Sequence, residues 1–171
     1  MISKVKEKGQ SLIEIVVVLS VASVVITALM ISVINSLKNA QFAQMQSRST
    51  KYAQDGAEKV RAVRDRDGRV VFNYTGGSTA KFSDLWNLHM SGSCSPACRF
   101  KLDPDNLQLE QLTGSVDKED MGDGITREII FEDSQTGSSY QKEKKIIVKV
   151  YWSDTTGTHE SNIQTVLVKL R

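Results

Sequence analysis

Hydrophobic residues dominate the chain from Leu12 to Ile34, and the twenty residues from Ile15 to Ile34 carry no formal charge. At about 1.5 Å rise per residue, a helix over these twenty positions is about 30 Å long, which is enough to cross the hydrocarbon core of a bilayer. One glutamate, Glu14, lies at the start of this apolar run. A carboxylate placed there costs several kcal/mol unless it has a partner. The pattern therefore predicts a membrane-spanning helix with one unusual charge.

Beyond Ile34 the sequence becomes polar, but apolar and small residues recur at steps of three and four, as on one face of an amphipathic helix. No proline lies between Met1 and Arg66 to interrupt a helix, and Asp67-Gly68 is a typical helix stop. We therefore predict one helix from about Ser11 to Asp65, whose second half packs on a globular head. The predicted stripe consists of Phe42, Met45, Ser49, Tyr52, Ala53, Gly56, Ala57, Val60 and Val63.

Alternating apolar and polar positions predict three strands in the C-terminal part, at residues 126–132, 145–152 and 163–170. Shorter strands are expected on either side of a turn at Asp103–Asn106, and polar loops at residues 75–79, 134–139 and 154–160. Residues 81–98 have no clear pattern, with Leu85, Trp86 and Leu88 as expected anchors to the core. The predicted fold class is α+β, a long N-terminal helix packed on a small antiparallel β-sheet head.

The composition fits one small globular domain with an appendage: 171 residues, of which 40% are hydrophobic and 25% charged. The net charge of +2 does not call for a nucleic-acid partner, because acidic and basic residues are interspersed. The one basic stretch is accompanied by Glu58, Asp65 and Asp67 and is interpreted as a solvated helix face. Its arginines are Arg61, Arg64, Arg66 and Arg69.

Three lysines, Lys4, Lys6 and Lys8, precede the apolar run, so the positive-inside rule predicts a cytoplasmic N-terminus and an exported head. A conventional secretory signal has a shorter apolar region and ends at an A-x-A-like site, which is absent near Ile34. An uncleaved single-pass anchor satisfies the same pattern.

The segment Gly9-Gln10-Ser11-Leu12-Ile13-Glu14, with its basic leader and following apolar helix, resembles the processing site of type IV prepilins and pseudopilins, the class III leader. The resemblance implies that a prepilin peptidase cuts between Gly9 and Gln10 and methylates the new N-terminus. Glu14 would then be the fifth residue of the mature protein. Gln10 departs from the family pattern, in which phenylalanine is the commonest first residue.

The resemblance also implies a structural rather than enzymatic role, as a subunit of a type IV pilus-like filament that needs no cofactor. Its partners would be the peptidase, other pilin or pseudopilin subunits and an inner-membrane assembly platform. The protein would lie in the inner membrane with its head outside before it enters a periplasmic or extracellular filament. The head strands look most like those of minor pilins and minor pseudopilins of type II secretion. The implied segments are a leader (1–9), an assembly helix (10–34), its amphipathic continuation (35–66) and the head (67–171).

Glu14 has two physical interpretations. The α-amino group exposed at Gln10 of a neighbouring subunit can neutralise its carboxylate within the bilayer, which favours one axial stagger and sets the register of assembly. Alternatively, Glu14 interacts with the dipole at the helix N-terminus and extends to the membrane interface, a contribution of about 0.3–1 kcal/mol that needs no partner. With the processing motif adjacent, we favour the assembly role.

The two cysteines, Cys94 and Cys98, are predicted to form a disulfide that constrains a surface loop of an exported domain. A zinc site with His89 and a pair of free thiols are the alternatives, although zinc lacks a fourth ligand. No nucleophile elbow, phosphate loop or H-E-x-x-H motif is present. The sequence therefore offers no support for catalysis.

An acidic cluster precedes Gly124 and lacks the ligand spacing of an EF-hand, so a solvated loop is preferred to a calcium site. The candidate ligands are Asp117, Asp120 and Asp123, beside Glu119. Two alternatives to a filament subunit remain: a non-polymerising, membrane-anchored binding domain outside the cytoplasm, and a DNA-binding minor pilin of a competence system that uses the arginine stretch.

Overall fold

The computed structural model describes residues 7–72, 78–88, 90, 98–112, 117–134 and 141–169, with only the backbone described for residues 7–11 and for Ser78. Within these ranges the chain forms two helices and one eight-stranded sheet, which confirms the α+β class. The chain divides into two compact units, Met1–Gln44 and Met45–Arg171. The segment boundaries expected at residues 9, 34 and 66 stay predictions.

Helix α1 runs from Glu7 to Asp65 and contributes to both units. It ends where the sequence predicted, because Asp67 adopts a left-handed backbone with φ 48°. The amide of Gly68 then donates to the carbonyl of Val63 at 2.8 Å, which satisfies one of the last helical acceptors. At its other end the helix begins four residues before the predicted Ser11.

After α1 the elements are β1 (Arg69–Phe72), β2 (Ser78–Lys81), α2 (Phe82–Leu85), β3 (Cys98–Leu102), β4 (Leu109–Gln111), β5 (Glu119–Asp120), β6 (Thr126–Asp133), β7 (Glu143–Asp154) and β8 (Gly157–Val168). The sheet has the strand order β2-β1-β4-β3-β6-β7-β8, and β5 pairs with β6. All pairs are antiparallel except β1 and β4, which are parallel with Val70 opposite Leu109. The antiparallel head predicted from the sequence is confirmed in the other pairs. The one parallel pair makes the sheet mixed, since β2, α2 and β3 form a crossover between β1 and β4.

The core of the second unit lies between one face of the sheet and the second half of α1. The predicted helical stripe is confirmed from Met45 onwards, where Ala53, Val60 and Val63 are fully buried or nearly so. Phe42, predicted as its first member, is exposed instead. Phenylalanine rings of β1, β3, β6 and α2 pack edge to face beside them, with centroids 5.3–6.1 Å apart. Among the expected anchors of residues 81–98, Leu85 and Trp86 are buried and Leu88 is partly buried.

The hairpin of β7 and β8 differs from the sequence prediction. A polar loop was expected at residues 154–160, but β8 already begins at Gly157. The turn is tight because one carboxylate oxygen of Asp154 accepts from the amides of Thr156 and Gly157, at 2.7 and 3.2 Å. Residues 157–162 look like a loop in the sequence since they lack apolar alternation, yet they pair in register along β7. The loop predicted at 75–79 is likewise shortened, because β2 begins at Ser78.

Candidate functional site

The apolar half of α1 presents its hydrophobic side chains outward. Each large hydrophobic side chain from Leu12 to Ile34 is more than half exposed. In the part of the chain that the structure describes, this is the one helix long and apolar enough to cross a membrane, with a mean hydropathy of 2.7 over its most apolar eighteen residues. A surface of this kind is stable only against lipid or against other apolar helices.

Hydroxyl groups within this half are satisfied by the helix itself. The side chains of Ser20, Ser23 and Thr27 donate to carbonyls three or four residues earlier, at 2.7–2.8 Å. Such back-bonding removes the cost of burying a hydroxyl in hydrocarbon. These small residues therefore leave the surface compatible with lipid and with close helix packing.

Glu14 lies two residues after Leu12, the first residue of α1 whose side chain is described, and it is exposed. It has no hydrogen-bond or ionic partner among the residues whose side chains the structure describes. Gly9 and Gln10 lie on the same helix, but only their backbone is described. The expected cleavage site is therefore helical in the uncut chain, with the carboxylate of Glu14 about one turn beyond Gln10. The roles predicted for these three residues stay predictions.

The second half of α1 lies very close to the sheet at Gly56. A Cβ atom added there would lie 2.9 Å from Cγ1 of Val148 and 3.1 Å from Cδ of Arg127. No side chain larger than hydrogen fits without a shift of the neighbouring atoms. Glycine thus allows the helix backbone to approach β6 and β7 directly, at the cost of about 1 kcal/mol in helix propensity.

Arg127 on β6 links the sheet to α1 through a buried charge network. Its guanidinium binds both carboxylate oxygens of Glu119, at 2.7 and 2.9 Å. A third nitrogen donates to Asp55 at 2.9 Å and to the carbonyl of Tyr52 at 2.8 Å. The side chain is completely buried. This role was not predicted from the sequence, although an arginine that shares one face of a strand with Ile129 and Phe131 is a signal for it.

The pKa values of this network follow from its geometry. Burial alone lowers the pKa of Arg127, but the hydrogen bonds and charges of Glu119 and Asp55 outweigh it and raise the pKa above its usual range. For the carboxyl group of Asp55, burial raises the pKa, but hydrogen bonds from Lys59 and Arg127 outweigh burial and lower the pKa below its ordinary value. Both groups are therefore ionised at neutral pH, so the contact between helix and sheet is an ion pair.

The three aspartates predicted as a calcium site each have another partner in the structure. Asp117 binds Lys101, and Asp123 pairs with Arg48 at 3.0 Å. Asp120 accepts from the amide of Gly122 at 2.8 Å. No group of three or more metal-ligating side chains occurs among the described residues, and the calcium hypothesis gains no geometric support.

Cys98 is buried at the start of β3. Cys94 and His89 lie outside the described residues, so the disulfide stays a prediction and the zinc alternative is not tested.

The predicted arginine stretch is divided by the fold. Arg61 donates to the hydroxyl of Thr165 on β8 at 2.9 Å, and Arg64 binds its neighbour Asp65. Arg66 and Arg69 instead line a groove after the end of α1. The four side chains therefore do not form the single basic surface that the DNA-binding alternative needs.

Comparison with known protein families gives one match, to the family described as the prokaryotic N-terminal methylation motif, at residues 4–30. The chain carries this methylation motif. It covers the basic leader, Gly9, Glu14 and most of the apolar helix, and is consistent with a type IV pilin-like protein. No curated protein and no solved structure was found to match the chain.

The methylation motif and the exposed apolar helix together support a membrane-anchored precursor of the pilin or pseudopilin type. Families with this motif are structural rather than catalytic. The match ends at residue 30, so it says nothing about the head.

Proposed function

We propose that the chain is a structural subunit of a type IV pilus-like filament, processed after Gly9 and assembled through its N-terminal helix. The observation that carries this proposal is the methylation motif continuing into an apolar helix whose large hydrophobic side chains, from Leu12 to Ile34, are more than half exposed. Helix association in membranes relies on packing and on polar contacts between neighbours. The exposed apolar half of α1 offers a packing surface, and the carboxylate of Glu14 offers a polar contact.

In this proposal Glu14 sets the register of assembly. After cleavage, the α-amino group of Gln10 in one subunit meets the Glu14 carboxylate of its neighbour. Pairing the two charges reduces the cost of holding each in hydrocarbon. One axial stagger is then preferred over all others, while the head faces outside the inner membrane.

The first test is mass analysis of the N-terminus of protein purified from its native membranes. We expect the mature chain to begin at Gln10 and to carry one added methyl group. An intact Met1 in the presence of an active peptidase would contradict processing, and the protein would then be an ordinary single-pass anchor.

The second test separates a filament subunit from a non-polymerising anchored domain. Glu14→Gln preserves side-chain size but removes the charge, so we expect normal membrane levels and loss from sheared filaments. Glu58→Gln, at an exposed position of the same helix, is the matched control and should still enter filaments. Equal incorporation of both variants would favour the alternative in which Glu14 only meets the membrane interface.

A further inference from the structure

A groove of about 350 Å³ lies between the end of α1 and the turn that joins β3 to β4. Arg66 and Arg69 line one side, and Asn106 and Gln108 line the other. All of these residues belong to the second unit. The groove is of a size that holds a single side chain or a small ligand.

The guanidinium groups of Arg66 and Arg69 have N–H groups that are available to donate to a ligand. Arg66 uses its Nε for the carbonyl of Ala62 at 3.2 Å, and the side chain of Arg69 has no hydrogen-bond partner among the described residues. Neither guanidinium has an acidic partner among the described residues, whereas Arg64, next to the same helix end, binds Asp65. A guanidinium presents parallel N–H groups that match the two oxygens of a carboxylate.

The groove also has an apolar part, formed by Val63 and Leu107. Leu107 has a left-handed backbone with φ 50°, which is uncommon for leucine, and its amide donates to the carbonyl of Asp103 at 3.0 Å. Charged donors beside aliphatic side chains suit a ligand that is itself amphipathic. An aspartate or glutamate side chain, with its methylene stem and terminal carboxylate, has this character.

The charges around the groove favour a single carboxylate as its ligand over a polyanion such as a nucleic acid. Five acidic residues lie within three sequence positions of residues that line the groove: Asp65, Asp67, Asp103, Asp105 and Glu110. These acidic residues would repel the successive phosphates of a nucleic acid. A single carboxylate held between two guanidiniums is attracted to them more strongly than the acidic residues repel it. We propose that this groove binds the carboxylate of an aspartate or glutamate side chain presented by a partner protein.

The test is an NMR titration of the ¹⁵N-labelled full-length protein in detergent micelles. The probe is N-acetyl-glutamate amide, and N-acetyl-glutamine amide is its uncharged counterpart. We expect saturable shifts of the Arg66 and Arg69 Nε–H signals and the Asn106–Gln108 amides, with a Kd on the order of millimolar for so small a probe. The glutamine probe should cause none.

Variants locate the site. Arg66→Gln and Arg69→Gln should each weaken the glutamate probe about tenfold or more, because each removes a charge-assisted hydrogen bond. Arg61→Gln, which lies outside the groove, should leave the affinity unchanged. Shifts that do not saturate, or equal shifts with the glutamine probe, would overturn the proposal. Tighter, salt-dependent binding of a short DNA duplex that is lost in the same two variants would also overturn it, in favour of a phosphodiester ligand.

Discussion

Arg127 is a buried cation whose partners come from two different elements, Glu119 on β5 and Asp55 on α1. Replacing it by methionine leaves Glu119 buried without a counter-charge. Loss of one partner of such a pair costs about 3–5 kcal/mol. We therefore expect Arg127→Met to lower the free energy of unfolding by about that amount. Urea denaturation of the full-length protein in micelles, followed by the fluorescence of buried Trp86 and Trp152, measures it.

Arg61→Met is the control for that experiment, since it removes an exposed arginine with one hydrogen bond to Thr165. It should cost less than about 1 kcal/mol. The double variant Arg127→Met with Glu119→Gln should be less destabilised than the sum of the two single variants, because the uncompensated charge is gone. Equal losses for Arg61→Met and Arg127→Met would show that the buried network contributes no more than a surface contact.

Asp55 gives the same network a pH dependence. Its pKa is lowered in the folded protein, so its contribution to stability is present above the ordinary aspartate pKa of about 3.9 and is lost as the pH falls through the lowered value. Asp55→Asn should therefore flatten the fall in stability below about pH 4. Urea midpoints measured between pH 2 and pH 6 test this, with Asp65→Asn as the exposed control. An unchanged acid limb in Asp55→Asn would contradict it.

At the scale of elements, Gly56 determines how closely α1 approaches the sheet. Gly56→Ala gains about 1 kcal/mol of helix propensity, but its methyl group would meet Val148 and Arg127. Overpacking costs about 1–3 kcal/mol, and here it also displaces a buried ion pair. We expect a net loss of about 1–2 kcal/mol in urea denaturation. Gln54→Ala, on the exposed side of the same helix, should change little. An increase in the stability of Gly56→Ala would contradict this expectation, because it would show that Val148 and Arg127 shift at little cost in free energy.

The sequence predicted those elements whose burial follows a local period. The stripe along α1 and the alternation in β7 were sufficient to predict the buried face of each element. Both faces are confirmed, except that Phe42 at the start of the stripe is exposed. The start of β8 was missed, because Thr158, Glu160 and Asn162 become strand residues only through pairing with β7. The parallel pairing of β1 with β4 was missed for a similar reason: it depends on a crossover between distant segments, which no local pattern encodes.

At the scale of the whole molecule, one part of the candidate site could be predicted from the sequence and another part could not. The processing motif and the apolar run are continuous in sequence, so they could be recognised without a structure, and the family comparison supports them. The Arg127 network could not be assembled in advance, because Tyr52 and Glu119 lie far apart in the chain. The groove beside Arg66 also required the fold, since residues 106–108 complete it.

The division into two units leads to a last prediction, on where the head can be cut. Residues 45–171 contain the helical positions that fill the core, Ala53, Val60 and Val63, together with the Tyr52 and Asp55 partners of Arg127. A fragment of residues 45–171 should therefore unfold cooperatively on heating, as followed by circular dichroism. A fragment of residues 67–171 should not, because it exposes one face of the sheet and leaves Arg127 with only Glu119. Cooperative unfolding of the shorter fragment would falsify this, and would mean that the sheet is stable without α1.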